Sequence, residues 1–514
     1  MTPPLENRVL PLAVPAAYPV VVALVYLGLL FLGTGAGILS AVRMFVVTAV
    51  GLSLIGGAVN LLMRDRHRGG LMTLVIVLLL ITGTDARYVG VIALVVVLLI
   101  AERIVSARQG SAVPWPRISS VLSRAAVVGI IMVVITGVQK GGFARVIADL
   151  TPIEPVVAQA VTTAGRPDIY ILMLDGYARP DKLRELFGFD DDPFLAALEA
   201  RGFDISGRSR SNYILTNLAI PSLLNMRHID DLIGEAPVPD DRATYRTAAR
   251  RLVSDSEVAR QLRRLDYEIG AISAGFEEVI LRGADRVIDT GQVNELELVI
   301  LRESALAPLL GLISPDFFGD QQRDRTLDVL AAARTEAARP LDRPRFLFVH
   351  VPSPHSPIVF GPNGEPIPAN NLDNFYDDTA VGIGLTREAF GRRYVGQVQF
   401  INGRVLEVVD AILASTSKPP VILVMSDHGS ASGLDWGDLP NSDFDERTAN
   451  LFAALTPGHL GVFPEDVTLV NTFPLLLEAY FGLAVPRQPD TIYSWYYEND
   501  YLTVLPELSR TVDN

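Results

Sequence analysis

The amino-acid sequence predicts an α/β domain with a doubly wound sheet, preceded by a five-helix transmembrane anchor. Three observations predict it. The long apolar stretches are confined to residues 1–140, where 11 Lys/Arg stand against 4 Asp/Glu; the remainder carries 33 against 54, so the two parts have net charges of +7 and −21 and face different surroundings. Beyond residue 166, short apolar runs alternate with helical patterns, as in a sheet covered on both faces by helices. Two of those runs, 168–176 (Asp-Ile-Tyr-Ile-Leu-Met-Leu-Asp-Gly) and 421–429 (Val-Ile-Leu-Val-Met-Ser-Asp-His-Gly), each end in metal-ligand residues and a glycine. Ligands bind just beyond the carboxyl ends of buried parallel strands, so Asp175, Asp427 and His428 are expected at one edge of one sheet.

The anchor comes first in the chain. No charge falls between Arg8 and Arg43 or between Arg43 and Arg64, and each gap holds a span of about 20 apolar residues, the length a bilayer needs. Shorter runs at about 70–84, 88–101 and 125–139 complete five helices, their flanking Arg and Tyr snorkelling to the interface. The first helix is too long and too weakly basic at its start for a cleaved signal peptide. Arg64, Arg66 and Arg68 follow the second helix, and Arg103, Arg108, Arg117 and Arg124 follow the fourth, whereas the first and third loops hold only Arg43 and Arg87. The positive-inside rule then puts the N-terminus in the cytoplasm and everything after about residue 140 outside. The spans as drawn hold no ionisable residue, which argues against a transporter.

Residues 141–166 read as a linker, and 167–514 as an extracytoplasmic domain. Strands are expected at 168–174, 267–273, 345–351, 420–425 and 449–455. Helices are expected at 181–203, 216–226, 256–265, 321–338, 386–415 and 468–483. The stretch 361–385, rich in Pro, Asn, Asp and Gly, reads as a loop or lid. Cysteine is absent, which excludes disulfides and thiolate metal sites. The acidic balance argues against a nucleic-acid partner.

Four blocks carry candidate chemistry. Asp175-Gly176 ends the first strand, where an Asp is also a common cap or turn former. In Ser426-Asp427-His428-Gly429, adjacent Asp and His reach one metal if the backbone turns sharply, and Gly429 is expected to allow that turn. In 211–226, Thr216 falls at or near a helix N-cap, beside amides that bind anions. A metal on its hydroxyl would make it a nucleophile. Ser211 lies before that helix and Ser222 nearly two turns inside it, so Thr216 is preferred. In 347–364, His350 closes a strand and His355 lies in a Pro-stiffened loop. An imidazole there binds a phosphoryl oxygen or protonates a leaving group, although His350 also reads as a packed core residue.

Together these blocks, with Asp-Glu-Arg-Thr-Ala-Asn at 445–450 and Val-Asn-Thr-Phe-Pro at 470–474, resemble the alkaline phosphatase/sulfatase superfamily over about 166–485. The likeness is greatest to its membrane-anchored, sulfatase-like hydrolases and transferases. The resemblance implies an alkaline-phosphatase-like sheet and one divalent ion (Mn²⁺, Mg²⁺ or Zn²⁺) held by Asp175, Thr216, Asp427 and His428. It also implies in-line attack by Thr216, a covalent phospho-enzyme, His355 as acid, and substrate contacts from His350, His355, Asn212 and Arg447. The anchor is similar to those of lipoteichoic acid synthases and phosphoethanolamine transferases, which implies a membrane lipid or lipid-linked glycan as substrate and phosphoglycerol, phosphoethanolamine or a related group as cargo. Two departures matter. Thr216 is followed by Asn217, Leu218, Ala219 and Ile220, not by the Cys/Ser-x-Pro-x-Arg pattern of sulfatases, which argues against a sulfuric ester hydrolase. No Asp-x-x-x-His pair exists for a second ion, which only His355 or His459 would serve, so one metal is expected. A non-catalytic anchored binding or assembly module is the alternative from another class. Substrate, the choice between hydrolysis and transfer, and oligomeric state stay open at this point.

Overall fold

The computed structural model describes residues 17–34, 36–82, isolated positions between 97 and 108, 113–151, 153, 166–233, 242–304, 306–369, 378–416, 418–496 and 501–509. It comprises two compact units. One contains residues 1–150 together with 295–315; the other contains 151–294 and 316–514.

In the first unit the helices are α1 (Tyr18–Thr34), α2 (Ile38–Met63), α3 (Arg66–Thr82), α4 (Trp115–Gln139) and α5 (Gly142–Leu150). Among the described residues, α2 and α4 are long and apolar enough to cross a membrane, and α1 is a shorter apolar helix. The expected fourth span, 88–101, lies for the most part outside the described residues. These are not core helices: Leu54, Leu61 and Leu62 of α2 are 70%, 80% and 80% exposed, which in water would waste most of their transfer energy. Helices α1 and α4 run parallel and pack closely, since a Cβ on Gly28 would stand 3.1 Å from Val133 and one on Gly129 3.2 Å from Val25. Small residues admit such approach where no hydrophobic force drives helices together. Arg68, early in α3, lies over the Trp115 ring at 5.6 Å. The starts of α3 and α4 therefore share one end of the unit with Arg64 and Arg66. At the opposite end, Arg145 of α5 donates to Leu32 O at 3.0 Å.

Three expectations change here. Arg43 was placed in the first loop but lies in the second turn of α2, where a charge is tolerated because its Nε donates to Glu297 Oε1 at 2.6 Å. The linker expected over 141–166 begins instead with α5, whose Asp149 accepts from Ile38 N at 3.3 Å. Residues 295–315 were assigned to the C-terminal domain, yet they fold with the anchor as α12 (Glu295–Glu303) and α13 (Ala307–Ile313). The apolar Leu296 and Ile300 of α12 pack with Leu30, Phe31, Ala36, Ala41 and Phe45 at the α1–α2 turn.

The second unit holds a seven-stranded sheet of order β2-β7-β6-β1-β5-β3-β4. Its strands are β1 (Ile169–Leu174), β2 (Asp204–Ile205), β3 (Glu268–Ser273), β4 (Arg286–Asp289), β5 (Arg345–Val351), β6 (Val421–Ser426) and β7 (Phe452–Leu455). The five strands from β6 to β4 are parallel, while β7 and β2 join antiparallel at one edge. The α/β fold class is as expected. Alternate residues of β1 face opposite ways: Ile169, Ile171 and Met173 into one core, Tyr170, Leu172 and Leu174 into the other. The first core is covered by α8 (Thr216–Asn225), α9 (Ile229–Ile233), α10 (Arg242–Ser254), α11 (Glu257–Arg264) and α17 (Thr472–Phe481). The second is covered by α6 (Pro180–Phe187), α7 (Asp192–Glu199), α14 (Phe317–Ala337) and α15 (Arg387–Ser415). Burial on both faces explains why the strands are apolar throughout rather than alternating. The single helix expected over 181–203 is two, because Gly188 caps the first in the left-handed region (φ 64°) and Pro193 starts the second. The short β2 and β4 carry no periodic signal and were not expected.

Candidate metal centre and active site

Parallel register builds the site. Leu174 pairs with Val351 on one side and with Ser426 on the other, so the residues that follow β1 and β6, Asp175 and Asp427, emerge level at the same edge. Gly176 turns the chain with φ +72°, and its N–H donates to Asp427 Oδ1 at 3.1 Å. The left-handed turn favours glycine at this position. Gly429 is needed for another reason than the expected sharp turn. A Cβ there would stand 2.2 Å from Glu446 O and 2.5 Å from Ala449 O, so the backbone of 446–449 passes too close for any side chain. The short helix α16 (Phe444–Thr448) supplies that backbone.

Thr216 is the first residue of α8, and Leu215 is its N-cap, with no side-chain cap. Thr216 is thus beside the cap, as expected, but is not the cap itself, with a chemical consequence. Its hydroxyl is not spent on the helix amides but lies 3.1 Å from His428 Nε2. Around that nitrogen stand Asp427 Oδ2 at 3.3 Å and Asp175 Oδ1 at 3.6 Å. His428 Nδ1 faces Gly429 O at 3.0 Å; donating there, it leaves Nε2 with its lone pair. Burial and the neighbouring Arg447 guanidinium hold the His428 pKa below the ordinary value, against the pull of Asp427, Asp175 and Asp378, so the ring is neutral.

The donor set fits a divalent cation. Asp175 Oδ1 and Asp427 Oδ2 are buried and accept no hydrogen bond, an expensive state for carboxylates without a counter-charge. One atom each from Asp175, Asp427 and His428 lie within 4.8 Å of one another. The spacings of 3.1 and 3.3 Å match the edges of a coordination shell, about 3.0–3.4 Å for metal–ligand bonds near 2.1 Å, and that of 3.6 Å is slightly longer. Two carboxylates, a neutral imidazole and a hydroxyl are the chemistry of an Mg²⁺, Mn²⁺ or Zn²⁺ site. Behind them, His350 Nε2 stands 3.3 Å from Asp175 Oδ2, and Tyr394 receives Ala178 N–H at 2.8 Å and donates to Gly176 O at 2.7 Å. Burial would raise the Asp175 pKa, but His355 and His350 hold it well below the ordinary carboxylate value.

The cationic side of the site comes from residues far apart in the chain. Arg447 is buried; its Nε donates to Ile214 O at 2.8 Å, and Nη2 lies 3.2 Å from His428 Nε2. Its Nη1 donates to Asp378, whose Oδ2 also stands 3.4 Å from His355 Nε2. The other His355 nitrogen, Nδ1, faces Ser356 O at 2.6 Å. Burial opposes charge on His355, but Asp175 and Asp378 outweigh it and raise its pKa. The His355 and His428 ring centroids are 6.2 Å apart.

The structure thus brings Asp175, Thr216, His350, His355, Asp427, His428 and Arg447 together. It does not bring Asn212: that amide accepts from Val470 N at 2.9 Å and donates to Thr491 O at 2.9 Å, bracketing two loops instead of meeting a substrate. His459 packs on Tyr480, ring centroids 4.4 Å apart. Asp378 and Tyr394 were missed. Asp378 sits in the Pro/Asn/Asp-rich loop, where one more Asp carries no signal, and Tyr394 reads as an ordinary apolar position of a long helix.

No family model matches the chain, and no curated protein matches it. Among solved structures it is similar to the C-terminal periplasmic domain of EcEptC from Escherichia coli, with 13% identity over 69% of this chain and 97% of that one and a TM-score of 0.44. It is also similar to the integral membrane protein lipooligosaccharide phosphoethanolamine transferase A (EptA) from Neisseria meningitidis, with 12% identity over 90% and 94% and a TM-score of 0.42. A third is BT1596, a 2-O GAG sulfatase, with 12% identity over 67% and 84% and a TM-score of 0.42.

Proposed function

We propose that this protein is a membrane-anchored, metal-dependent hydrolase or transferase of phosphoryl-type esters that works through Thr216. The observation that carries the reading is the convergence of the Thr216 hydroxyl with Asp175 Oδ1 and Asp427 Oδ2 on His428 Nε2, both carboxylate oxygens buried without a hydrogen bond. Asp175, Thr216, Asp427 and His428 would hold one divalent ion, which lowers the pKa of a bound hydroxyl and offsets charge on a phosphoryl group.

The chain's own residues supply the rest. Thr216 Oγ1, its proton lost to water, attacks phosphorus, and the bond from phosphorus to the departing oxygen breaks. Arg447, held by Asp378, offers a fixed positive charge to the phosphoryl oxygens. His355, its pKa raised by Asp175 and Asp378, gives its proton to the departing oxygen. Water or an acceptor hydroxyl then loses a proton to neutral His355 and attacks phosphorus. That breaks the bond to Thr216, whose oxygen takes a proton back from water, restoring the hydroxyl. Lipid-linked phosphoglycerol or phosphoethanolamine is the cargo this reading favours, because two N-terminal helices long and apolar enough to cross a membrane support anchoring there.

The anchor supports an extracytoplasmic site. Arg64, Arg66 and Arg68 gather at one end of the helical unit, while α5, the exit toward the second unit, lies at the other. The positive-inside rule then puts the exit outside.

Mass spectrometry tests the reading directly. The purified full chain, incubated with divalent metal and bacterial lipid extract, should gain mass on the peptide carrying Thr216, and the added mass names the group moved. The absence of any adduct, with no metal-dependent turnover of a phosphodiester, would overturn it.

A further inference from the structure

Helix α13 lies in the stretch 304–315 (Ser-Ala-Leu-Ala-Pro-Leu-Leu-Gly-Leu-Ile-Ser-Pro), which holds no charged residue. No residue of this helix is buried; Leu309, Leu312 and Ile313 are 54%, 82% and 83% exposed. Three large apolar side chains this exposed on one short helix mark a contact surface. The catalytic site makes no use of them.

We infer that α13 inserts into the extracytoplasmic leaflet of the membrane, as a lipid-binding segment of the helical unit. The neighbouring helix identifies the occupant. Helix α12, immediately before it, is already seated on the anchor: Leu296 and Ile300 pack at the α1–α2 turn, and Arg43 of α2 is bound by both carboxylate oxygens of Glu297. That turn lies at the end of the anchor opposite Arg64, Arg66 and Arg68. The uncharged stretch that follows continues an interface with membrane helices, where acyl chains are the surrounding solvent. In water Leu312 and Ile313, adjacent on one helix, would both stay bare, whereas at interfacial depth lipid buries them. The charges that flank it, Arg302 and Glu303 on one side and Asp316 on the other, bound the apolar segment as the polar rim of an interfacial element does. The chain then joins its two units at three places, 150/151, 294/295 and 315/316, and the second and third enclose the inserted segment. The inference rests on the membrane reading of the N-terminal helices and not on the chemistry at Thr216.

The absence of cysteine makes the test clean, because one introduced thiol takes one label. The full chain carrying L312C, labelled with an environment-sensitive fluorophore, is placed in phosphatidylcholine nanodiscs whose acyl chains carry bromine. L460C, at an apolar residue 78% exposed in the second unit, is the aqueous reference, and V134C in α4 is the membrane reference. The label at 312 should lose about half its emission or more to brominated lipid and be about threefold less quenched by iodide than the label at 460. A 312 label that follows the 460 label overturns the inference. So does one shielded from both quenchers, which would mean that protein, such as a second copy of the chain, covers the helix. If the 134 label also ignores brominated lipid, the membrane reading itself fails; if 134 is quenched and 312 is not, only this inference does.

Discussion

Replacing Thr216 by alanine removes one hydroxyl and one methyl from a side chain that is 6% exposed. Were Thr216 a helix cap, the cost would be paid in stability. It is the first residue of α8 and caps nothing. Loss of the buried methyl costs about 0.8 kcal/mol, and loss of the contact to His428 about 1 kcal/mol. Alanine's better helix propensity returns about 0.5 kcal/mol. The net is about 1 kcal/mol, a shift of roughly 2 °C or less in the melting temperature of a unit this large. Loss of a nucleophile is another matter: turnover should fall by at least about 10⁴-fold, or about 5.4 kcal/mol of barrier. The assay compares metal-dependent hydrolysis of a nitrophenyl phosphodiester with thermal melting, using the full chain in detergent. Thr216→Ser keeps the oxygen and should stay within about tenfold of native turnover. Ser222, whose hydroxyl donates to Arg227 O at 2.7 Å, should tolerate alanine. If Thr216→Ala kept more than about a tenth of the turnover, or if Ser222→Ala abolished it, Thr216 would not be the nucleophile.

Removing metal should abolish turnover and lower the melting temperature by a few degrees, since an ion at about 100 times its dissociation constant contributes about 2.7 kcal/mol. Asp427→Asn should raise the metal concentration needed for both effects, and melting curves that ignore chelator would count against the site. His355→Gln should slow esters with poor leaving groups far more than nitrophenyl esters; equal losses on both would remove it as the acid. Asp191 offers a pH test. Its carboxyl is pushed up to about 7 by burial, and a closed ring of three hydrogen bonds fits the neutral acid: Asp191 to Tyr177 hydroxyl, Tyr177 to Asn402 Oδ1, Asn402 Nδ2 to Asp191 Oδ1. The folded state then holds a proton that the unfolded chain releases near pH 4, so stability is full below that pH and declines as pH rises toward 7, by at most about 4 kcal/mol. Asp191→Asn keeps the ring without the proton, so in denaturant titrations its advantage over the native chain should grow from pH 5 to 8; a gap that shrinks would refute a neutral Asp191. Reporter fusions after residue 165 should be active only as extracytoplasmic reporters, and fusions within 103–120 only as cytoplasmic ones.

Local pattern carried much of this protein. Strands buried on both faces have to be apolar at every position, so β1, β5 and β6 stood out within a residue or two of their true limits, and the polar residues that end β1 and β6 had to share an edge. Asp175, Asp427 and His428 were expected together for that reason, and Thr216 because it stands at the start of a helix; the structure brings the four side chains to one place. The break between α6 and α7 was legible in principle, because Gly188 and Pro193 are local signals that an apolar periodicity running through 181–203 obscured. What stayed hidden depends on partners distant in the chain. Nothing near Asp378 says that Arg447 lies against it, and nothing near Tyr394 says that its hydroxyl clamps Gly176. Asn212 looked available because its acceptor role toward Val470 is set 258 residues away. Gly429 was read as a backbone turn, whereas the passing chain at Glu446 and Ala449 is what excludes a side chain. Glu297 and Arg43, separated by 254 residues, decide that 295–315 folds with the anchor. Periodicity reports which face of an element is dry, since that is set by neighbours a turn or a pleat away. Which buried charge meets which, and whether a polar atom is spent or free, is settled only when the sheet brings remote segments to one edge.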